Sequence, residues 1–350
     1  MHQTLLILTF TSALWAQEPA ITNAQRQNLA ATGGLTAQLR QLAARQSGPA
    51  WIGYTVAKIP GEHNSCCWDN QGRGCGLEGN KTTGGPVARP GPVQLEGPTH
   101  VSILLRAEQG KIQKVRSFAI DCPLDGGGLP LYWLTGVAAD QSVEVLVGLV
   151  AEDGATGERT KAVGDSAVHA IAMHAGPAAA AALDKMALSS PSEKIRRSAL
   201  FWLANSRGRP GYLTVARASR EDPSDKVREH AVFALTQSAE PEAMPAIIRV
   251  AKEDKVPHVR GQALFWLAQR ASRQVATGAI TEALDKDPDT EVKKKAVFAL
   301  TQMPQDQGIP MLIQVARTNQ NPAVRKQAMF WLGQSKDARA LKYFEEVLTK

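Results

Sequence analysis

The chain has 350 residues, 43% of them hydrophobic and 21% charged, with a formal net charge of +7. That composition excludes a disordered or fibrous protein and leaves room for two or three domains. Beyond the amino terminus no stretch approaches 18 uninterrupted apolar residues, which argues against a later membrane-spanning helix and for a soluble mature chain.

Leu5 to Phe10 opens an apolar stretch that continues to Trp15 and gives way, after Ala16, to Gln17 and Glu18. The run is too short for a bilayer and reads as a secretory signal peptide, residues 1–16, with only His2 and the amino terminus as positive charge before it. Residues 17–48 read as an N-terminal helical segment broken at Gly33-Gly34, since each glycine costs about 1 kcal/mol relative to alanine inside a helix. From 49 to 124 a small cysteine-containing β module is expected. Trp51 to Ile59 has the aromatic and β-branched content of a strand and lies between Pro49 and Pro60. Two more strands, His100 to Arg106 and Ile112 to Ile120, flank Glu108-Gln109-Gly110-Lys111, which is the turn chemistry of an antiparallel hairpin.

Cys66, Cys67, Cys75 and Cys122 all fall in this module, and an even number of cysteines in an exported, loop-rich unit reads as two disulfides. Three pairings are open, the bond between the neighbours Cys66 and Cys67 being the most strained. The bridges would replace a hydrophobic core that so small a module cannot supply. A metal site built from His63 and the thiols competes with this reading, but the spacing of Cys67 and Cys75 lacks the paired Cys-x-x-Cys of structural zinc. No metal and no cofactor is therefore expected.

Asp125 to Pro130 marks a boundary, and residues 125–350 turn helical, with an early degenerate unit at Tyr132-Trp133-Leu134 and regular units from about 191. Phe201-Trp202-Leu203 recurs as Phe233-Ala234-Leu235, Phe265-Trp266-Leu267, Phe298-Ala299-Leu300 and Phe330-Trp331-Leu332, with intervals of 32 or 33 residues. That period fits one helix pair per unit, about seven pairs in all, stacked as a solenoid. Within a unit Ile195, Ala199, Trp202 and Leu203 share one helical face, and the same pattern returns in each later unit.

Val-Arg followed by Ala and Leu at helical spacing, introduced by Asp222-Pro223, Asp287-Pro288 or Asn321-Pro322, resembles the HEAT repeat, especially the HEAT-like repeats of phycobilin lyase subunits. The resemblance covers roughly residues 130–350, with Lys293 in place of the usual arginine and no aspartate before Pro257. It implies a right-handed α-solenoid, commonly a scaffold for protein partners, in which the residue before proline caps the first helix.

Three columns run through the units. Arg196, Arg228, Arg260, Lys293 and Arg325 either bridge to the neighbouring repeat or form an anion-binding stripe. Asn205, Gln237, Gln269, Gln302 and Gln334 stand where amides can satisfy orphan groups of the interhelix turn. The phenylalanines point about 120° from the core face of their own helix at 100° per residue, so they fill the groove against the next repeat. Trp202, Ala234, Trp266, Ala299 and Trp331 alternate large with small, as interdigitating layers do, so the true period is a pair of repeats; an exposed strip for a partner is the other reading of the tryptophans.

Residues 161–350 carry 28 Lys and Arg against 20 Asp and Glu, while residues 1–160 carry 12 against 13. The basic excess belongs to the helical half and favours acidic partners. Neither a Ser-His-Asp set nor a phosphate loop is evident, and Gly126-Gly127-Gly128 lacks the Lys-Ser/Thr such a loop needs. The expectation is a non-catalytic scaffold or adaptor, periplasmic or secreted, that binds an acidic protein partner and no nucleic acid. A thiol, redox or lyase-type enzyme acting around His63, Cys66, Cys67 and Asp69 is the alternative, whose thiol chemistry as a resting activity the absence of free thiols would eliminate.

Overall fold

A computed structural model describes residues 18–61, 66, 75–79, 98–156 and 161–349. Residues 1–16, with His63, Cys67 and Asp69, are expectations that lie outside the described residues. Two compact units are present: Met1–Val145 with Met173–Ala175, and Leu146–Ala172 with Gly176–Lys350.

In chain order the first unit contains β1 (Ile21–Thr22), β2 (Gln25–Ala30), α1 (Leu35–Ala44), β3 (Ala50–Ala57), β4 (Cys75–Gly76), β5 (His100–Glu108), β6 (Lys111–Ala119), β7 (Leu124–Asp125) and β8 (Pro130–Thr135). A five-stranded sheet has the order β2-β8-β3-β5-β6, and β1-β7-β4 form a second, smaller one. The hairpin of β5 and β6 is antiparallel and turns at Gln109-Gly110. β8 runs parallel to both of its neighbours, β2 and β3.

Two stretches read as helix are therefore strands. Residues 17–48 hold β2 before α1, and Gly33 and Gly34, both at positive φ, form the turn between them rather than a break within one helix. Tyr132-Trp133-Leu134 is the middle of β8, not the first helix of a repeat. The physical reason is tertiary. Residues 25–30 and 130–135 pair in register across more than a hundred positions of chain, a contact no local pattern announces. Trp133 lies across from Gly53, where a Cβ would stand 2.6 Å from the indole ring, so only glycine admits the tryptophan there.

This module has a core of its own. Trp51, Leu77, Leu104, Phe118, Leu131 and Trp133 are buried together with Cys75 and Cys122. Adding β2 and β8 gives the sheet enough width to bury both faces, which the expected 49–124 module lacked. Leu35, Leu39 and Leu42 of α1, which packs on β6, are buried at helical spacing. A Cys66–Cys122 disulfide joins positions 56 residues apart, and Cys75 is disulfide-bonded as well. Tyr54, Ser142 and His174 form a buried polar line: Ser142 Oγ donates to the Tyr54 hydroxyl at 2.9 Å and lies 2.8 Å from His174 Nε2. Burial pushes the Tyr54 phenol up, against the Ser142 hydrogen bond, so it stays protonated.

The helices that follow are α2 (Ala139–Thr156), α3 (Lys161–Met173), α4 (Pro177–Ser189), α5 (Glu193–Ser206), α6 (Gly208–Glu221), α7 (Asp225–Leu235) and α8 (Ala243–Glu253). They continue as α9 (Pro257–Arg270), α10 (Arg273–Lys286), α11 (Thr290–Thr301), α12 (Gln305–Thr318), α13 (Pro322–Gln334) and α14 (Ala338–Leu348). After α2 they pair as first and second helices, from α3 with α4 to α13 with α14. First helices stack on first helices from α5 to α13, and second on second from α4 to α10 and between α12 and α14. Of the first-helix face read from sequence, the β-branched residue, the alanine four on and the leucine are buried in every regular unit, as with Val227, Ala231 and Leu235, while Trp202, Trp266 and Trp331 are half-buried. Second helices carry a column of small residues, Gly211, Ala243, Ala276, Gly308 and Ala340, all buried. At Gly211 a Cβ would fall 2.0 Å from the Leu203 carbonyl oxygen and at Gly308 2.3 Å from that of Leu300, so the second helix rests directly on the backbone of the first.

Candidate docking surface

The first helices α7, α9 and α11 each begin beside an aspartate that closes the preceding second helix. Arg196 gives Nε and Nη2 to Asp222, Arg228 gives the same pair to Asp254, and Arg260 to Asp287, at 2.7–3.1 Å. The third nitrogen reaches a backbone carbonyl six residues earlier: Ser190, Asp222 and Asp254 in turn. Each aspartate also accepts from a backbone N–H two residues on, from Ser224, Val256 or Asp289. The result is a continuous chain in which one aspartate holds the arginine of its own unit and, through its carbonyl, that of the next. Charge-assisted bidentate geometry makes these strong contacts. Hydrogen bonding to the carboxylate holds the Arg228 and Arg260 guanidinia above their ordinary range, against burial.

The column changes where its partner changes. Lys293 belongs to the unit closed by Asn319 and, among the described residues, reaches the Asp285 carbonyl, and Arg325 donates Nη1 to the carbonyls of Asn319 and Gln320. Asp222 and Asp287 thus do not cap the following helix, as the resemblance implied. They close the previous one, two residues before the N-caps Ser224 and Asp289, whereas Asn321 does cap α13 through Ala323 N–H.

The amides also differ from expectation. Gln237 and Gln302 donate to Thr236 and Thr301 hydroxyls at 2.8 and 2.9 Å, and Gln269 donates to Gln302 at 3.3 Å. The helix-end carbonyls are taken instead by hydroxyls: Ser206 on Trp202, Thr236 on Phe233, Thr301 on Phe298 and Ser335 on Leu332. A short hydroxyl folds back onto its own turn more easily than a long amide, which is free to reach sideways.

The aromatic column forms a ribbon along the first helices. Trp202 meets His169 at 4.6 Å and Phe201 at 5.0 Å; Phe201 stacks on Phe233 at 6.0 Å; Phe233 meets Trp266 at 5.0 Å. The sequence of contacts then repeats through Phe265, Phe298, Trp331 and Phe330. Phe201 lies 10° from parallel with Phe233 and Phe265 3° from parallel with Phe298, while Phe233 and Phe298 meet their tryptophans at 41° and 46°. The geometry therefore has a two-repeat period. Apart from the exposed Phe330, both ring types are half-buried, so the ribbon packs the repeats together and still shows an edge to solvent. Residues four positions to either side share the helical face of each phenylalanine. On one flank these are Arg197, Glu229, Gly261, Lys294 and Lys326; on the other they are the amides. His230, 5.6 Å from Phe233, is held below the usual imidazole range by burial and then by Arg197, so it is neutral at pH 7.

Residues 214–277 and 277–350 match the family model described as HEAT repeats. The segment 214–350 is a HEAT-repeat array. The Arg–Asp chain and the stacked first helices extend the same plan back through α5 and α6 of the array. No curated protein matches the sequence. Solved structures similar to the chain include human deoxyhypusine hydroxylase in complex with glycerol, at 14% identity over 59% of this chain and 90% of that chain, with a TM-score of 0.31. The complex of CpcE and CpcF of phycocyanin lyase from Nostoc sp. PCC7120 is similar at 17% identity over 45% and 98%, with a TM-score of 0.35. Kap121p bound to Pho4p is similar at 16% identity over 60% and 27%, also with a TM-score of 0.35.

For the HEAT array the consequence is a division of labour between columns that the sequence placed side by side. Arg196, Arg228 and Arg260 spend their nitrogens inside the fold. Trp202, Trp266 and Trp331 stand in the ribbon, each reaching back to an aromatic ring of the preceding unit. In the sheet unit Cys66, Asp121 and Cys122 come within 4.8 Å, but both sulfurs are in the disulfide and so offer no thiolate to a metal. Among the described residues no cysteine is free. No helix among them is long and apolar enough to cross a membrane.

Proposed function

We propose that the protein is an exported, non-catalytic scaffold whose first-helix face docks a protein partner. The observation that carries this reading is the aromatic ribbon, continuous from His169 to Phe330 and half exposed, with amides on one flank and mainly basic side chains on the other. Large flat rings give contact area at little entropic cost, amides recognise peptide groups, and the basic flank favours an acidic partner. The Cys66–Cys122 bridge supports an oxidising compartment, periplasmic or extracellular. Among the described residues the cysteines are disulfide-bonded, which speaks against the thiol-enzyme alternative.

Affinity capture from the native envelope or secretome tests the reading, with the full chain as bait beside a Lys294→Glu/Lys326→Glu variant of unchanged circular dichroism. A partner held by the first and released by the second is expected. An identical set of captured proteins for both baits would remove the basis for docking on this face.

A further inference from the structure

Ion pairs tie neighbouring second helices together at one fixed pair of positions. Lys252 of α8 holds Glu282 of α10, and Arg317 of α12 holds Glu346 of α14. In each pair the cation stands two residues before the one that closes its helix, and the carboxylate follows 29 or 30 residues later in the next second helix. The same two places between α6 and α8 hold Arg220 and Arg249, again 29 residues apart. Two cations thus occupy places whose counterparts form a charge pair, although α6 packs on α8 as α8 packs on α10. Like charges brought together this way repel unless an anion lies between them.

Arg220 and Arg249 line a cavity of about 220 Å³. The buried pair of Arg228 and Asp254 forms its deep side, and the exposed Lys255 and Glu253 complete its charged lining. Four cations therefore surround the space against two carboxylates, of which Asp254 is already held by two nitrogens of Arg228. Arg249, Lys255 and Glu253 have no ion-pair partner among the described residues. Arg220 reaches Glu221 at 3.7 Å, a carboxylate that Arg217 holds at 2.8 Å. Arg228 has five N–H donors, and its bonds to Asp254 and to the Asp222 carbonyl use three of them.

We propose that this cavity between α6 and α8 binds a dianionic oxyanion, a phosphoryl group, on Arg220, Arg249 and Lys255. A single carboxylate balances a single cation, as Glu282 does for Lys252. Here the surplus is two charges, and the donor fork of an arginine matches the several oxygens of a phosphate. A cavity of about 150 Å³ holds a benzene ring, so this one admits a tetrahedral oxyanion and the first atoms of the molecule that carries it. The bound group supplies between α6 and α8 the negative charge that Glu282 and Glu346 supply at their own interfaces, so its binding stabilises the array. The site lies among the second helices and stands apart from the docking role given to the ribbon.

Calorimetric titration of the full-length protein with inorganic phosphate, at low ionic strength and pH 7.5, is expected to show one saturable site, and acetate none. Arg220→Gln and Arg249→Gln are each expected to weaken binding by about tenfold, the effect of losing one charge-assisted contact. Glu253→Gln is expected to tighten it, since a repelling carboxylate is removed. The decisive variant is Arg249→Glu, which puts a carboxylate where Glu282 stands one repeat on. It is expected to lose phosphate binding while its Tm without phosphate stays level or rises, an outcome that misfolding would not give. Arg273→Gln, at an exposed arginine of α10, leaves binding unchanged. Glycerol 3-phosphate titrated in parallel identifies the source: tighter binding than inorganic phosphate assigns the site to a phosphate ester, equal or weaker binding to the free ion. No saturable site for either, acetate binding as tightly as phosphate, or undiminished binding in Arg249→Glu would overturn the proposal.

Discussion

Arg228 shows how far a single residue could be read. Its helical position was evident from the repeat, and so was the choice between bridge and anion site. What decided between them was Asp254, whose carboxylate takes two of its nitrogens at 2.7 and 3.1 Å from 26 residues away. His230 gave no sequence signal, because nothing local says that its ring is buried against Phe233 beside Arg197. Its lowered pKa has a definite consequence. The unfolded chain takes up a proton near pH 6.5 and folded His230 resists it, so its protonation favours unfolding and stability falls as pH drops below that value. The loss of Tm between pH 7.5 and 5.5 is therefore expected to be smaller in His230→Gln than in the parent protein. An equal loss in both would show that His230 titrates as a solvated imidazole.

At the level of elements, the aspartate and arginine behave as one unit spread over two helices. Asp222, Asp254 and Asp287 go with Arg196, Arg228 and Arg260, whereas Asn319 goes with Lys293, so the pair changes together. A lysine cannot reproduce the two-nitrogen fork, and an asparagine offers no charge to hold it. Restoring both with Lys293→Arg/Asn319→Asp is expected to yield a favourable coupling of about 0.5–3 kcal/mol in a double-mutant cycle read by urea unfolding. Additive single effects would mean that the fourth unit has lost the geometry as well as the charges. Legibility at this scale followed contact range. Helices with local periodicity, such as α7 and α9, and the β5–β6 hairpin were visible. β2 and β8 were not, because a tryptophan-containing run such as Tyr132-Trp133-Leu134 suits a helix face or a buried strand equally, and only its parallel neighbours make the choice.

For the whole molecule, the disulfide and the array belong to different units. Closing a loop of 56 residues removes unfolded-state entropy worth roughly 4 kcal/mol in the chain-entropy description. Dithiothreitol is thus expected to lower the melting of the sheet unit, followed by near-ultraviolet circular dichroism at its buried Trp51 and Trp133. The helical transition at 222 nm should stay where it is, since among the described residues the array from α3 onward contains no cysteine. A helical transition that moved with reduction would count against separate units.

The sequence by itself determined the repeat, its period and the pairing of large with small residues across neighbouring units. Those properties are carried by side chains three, four or about 32 positions apart on identical elements, so copying makes them visible. Tertiary structure alone decided that the arginines spend their charge internally, that the amides turn sideways, and that two presumed helical stretches complete a sheet. Each of these depends on what a side chain meets across space.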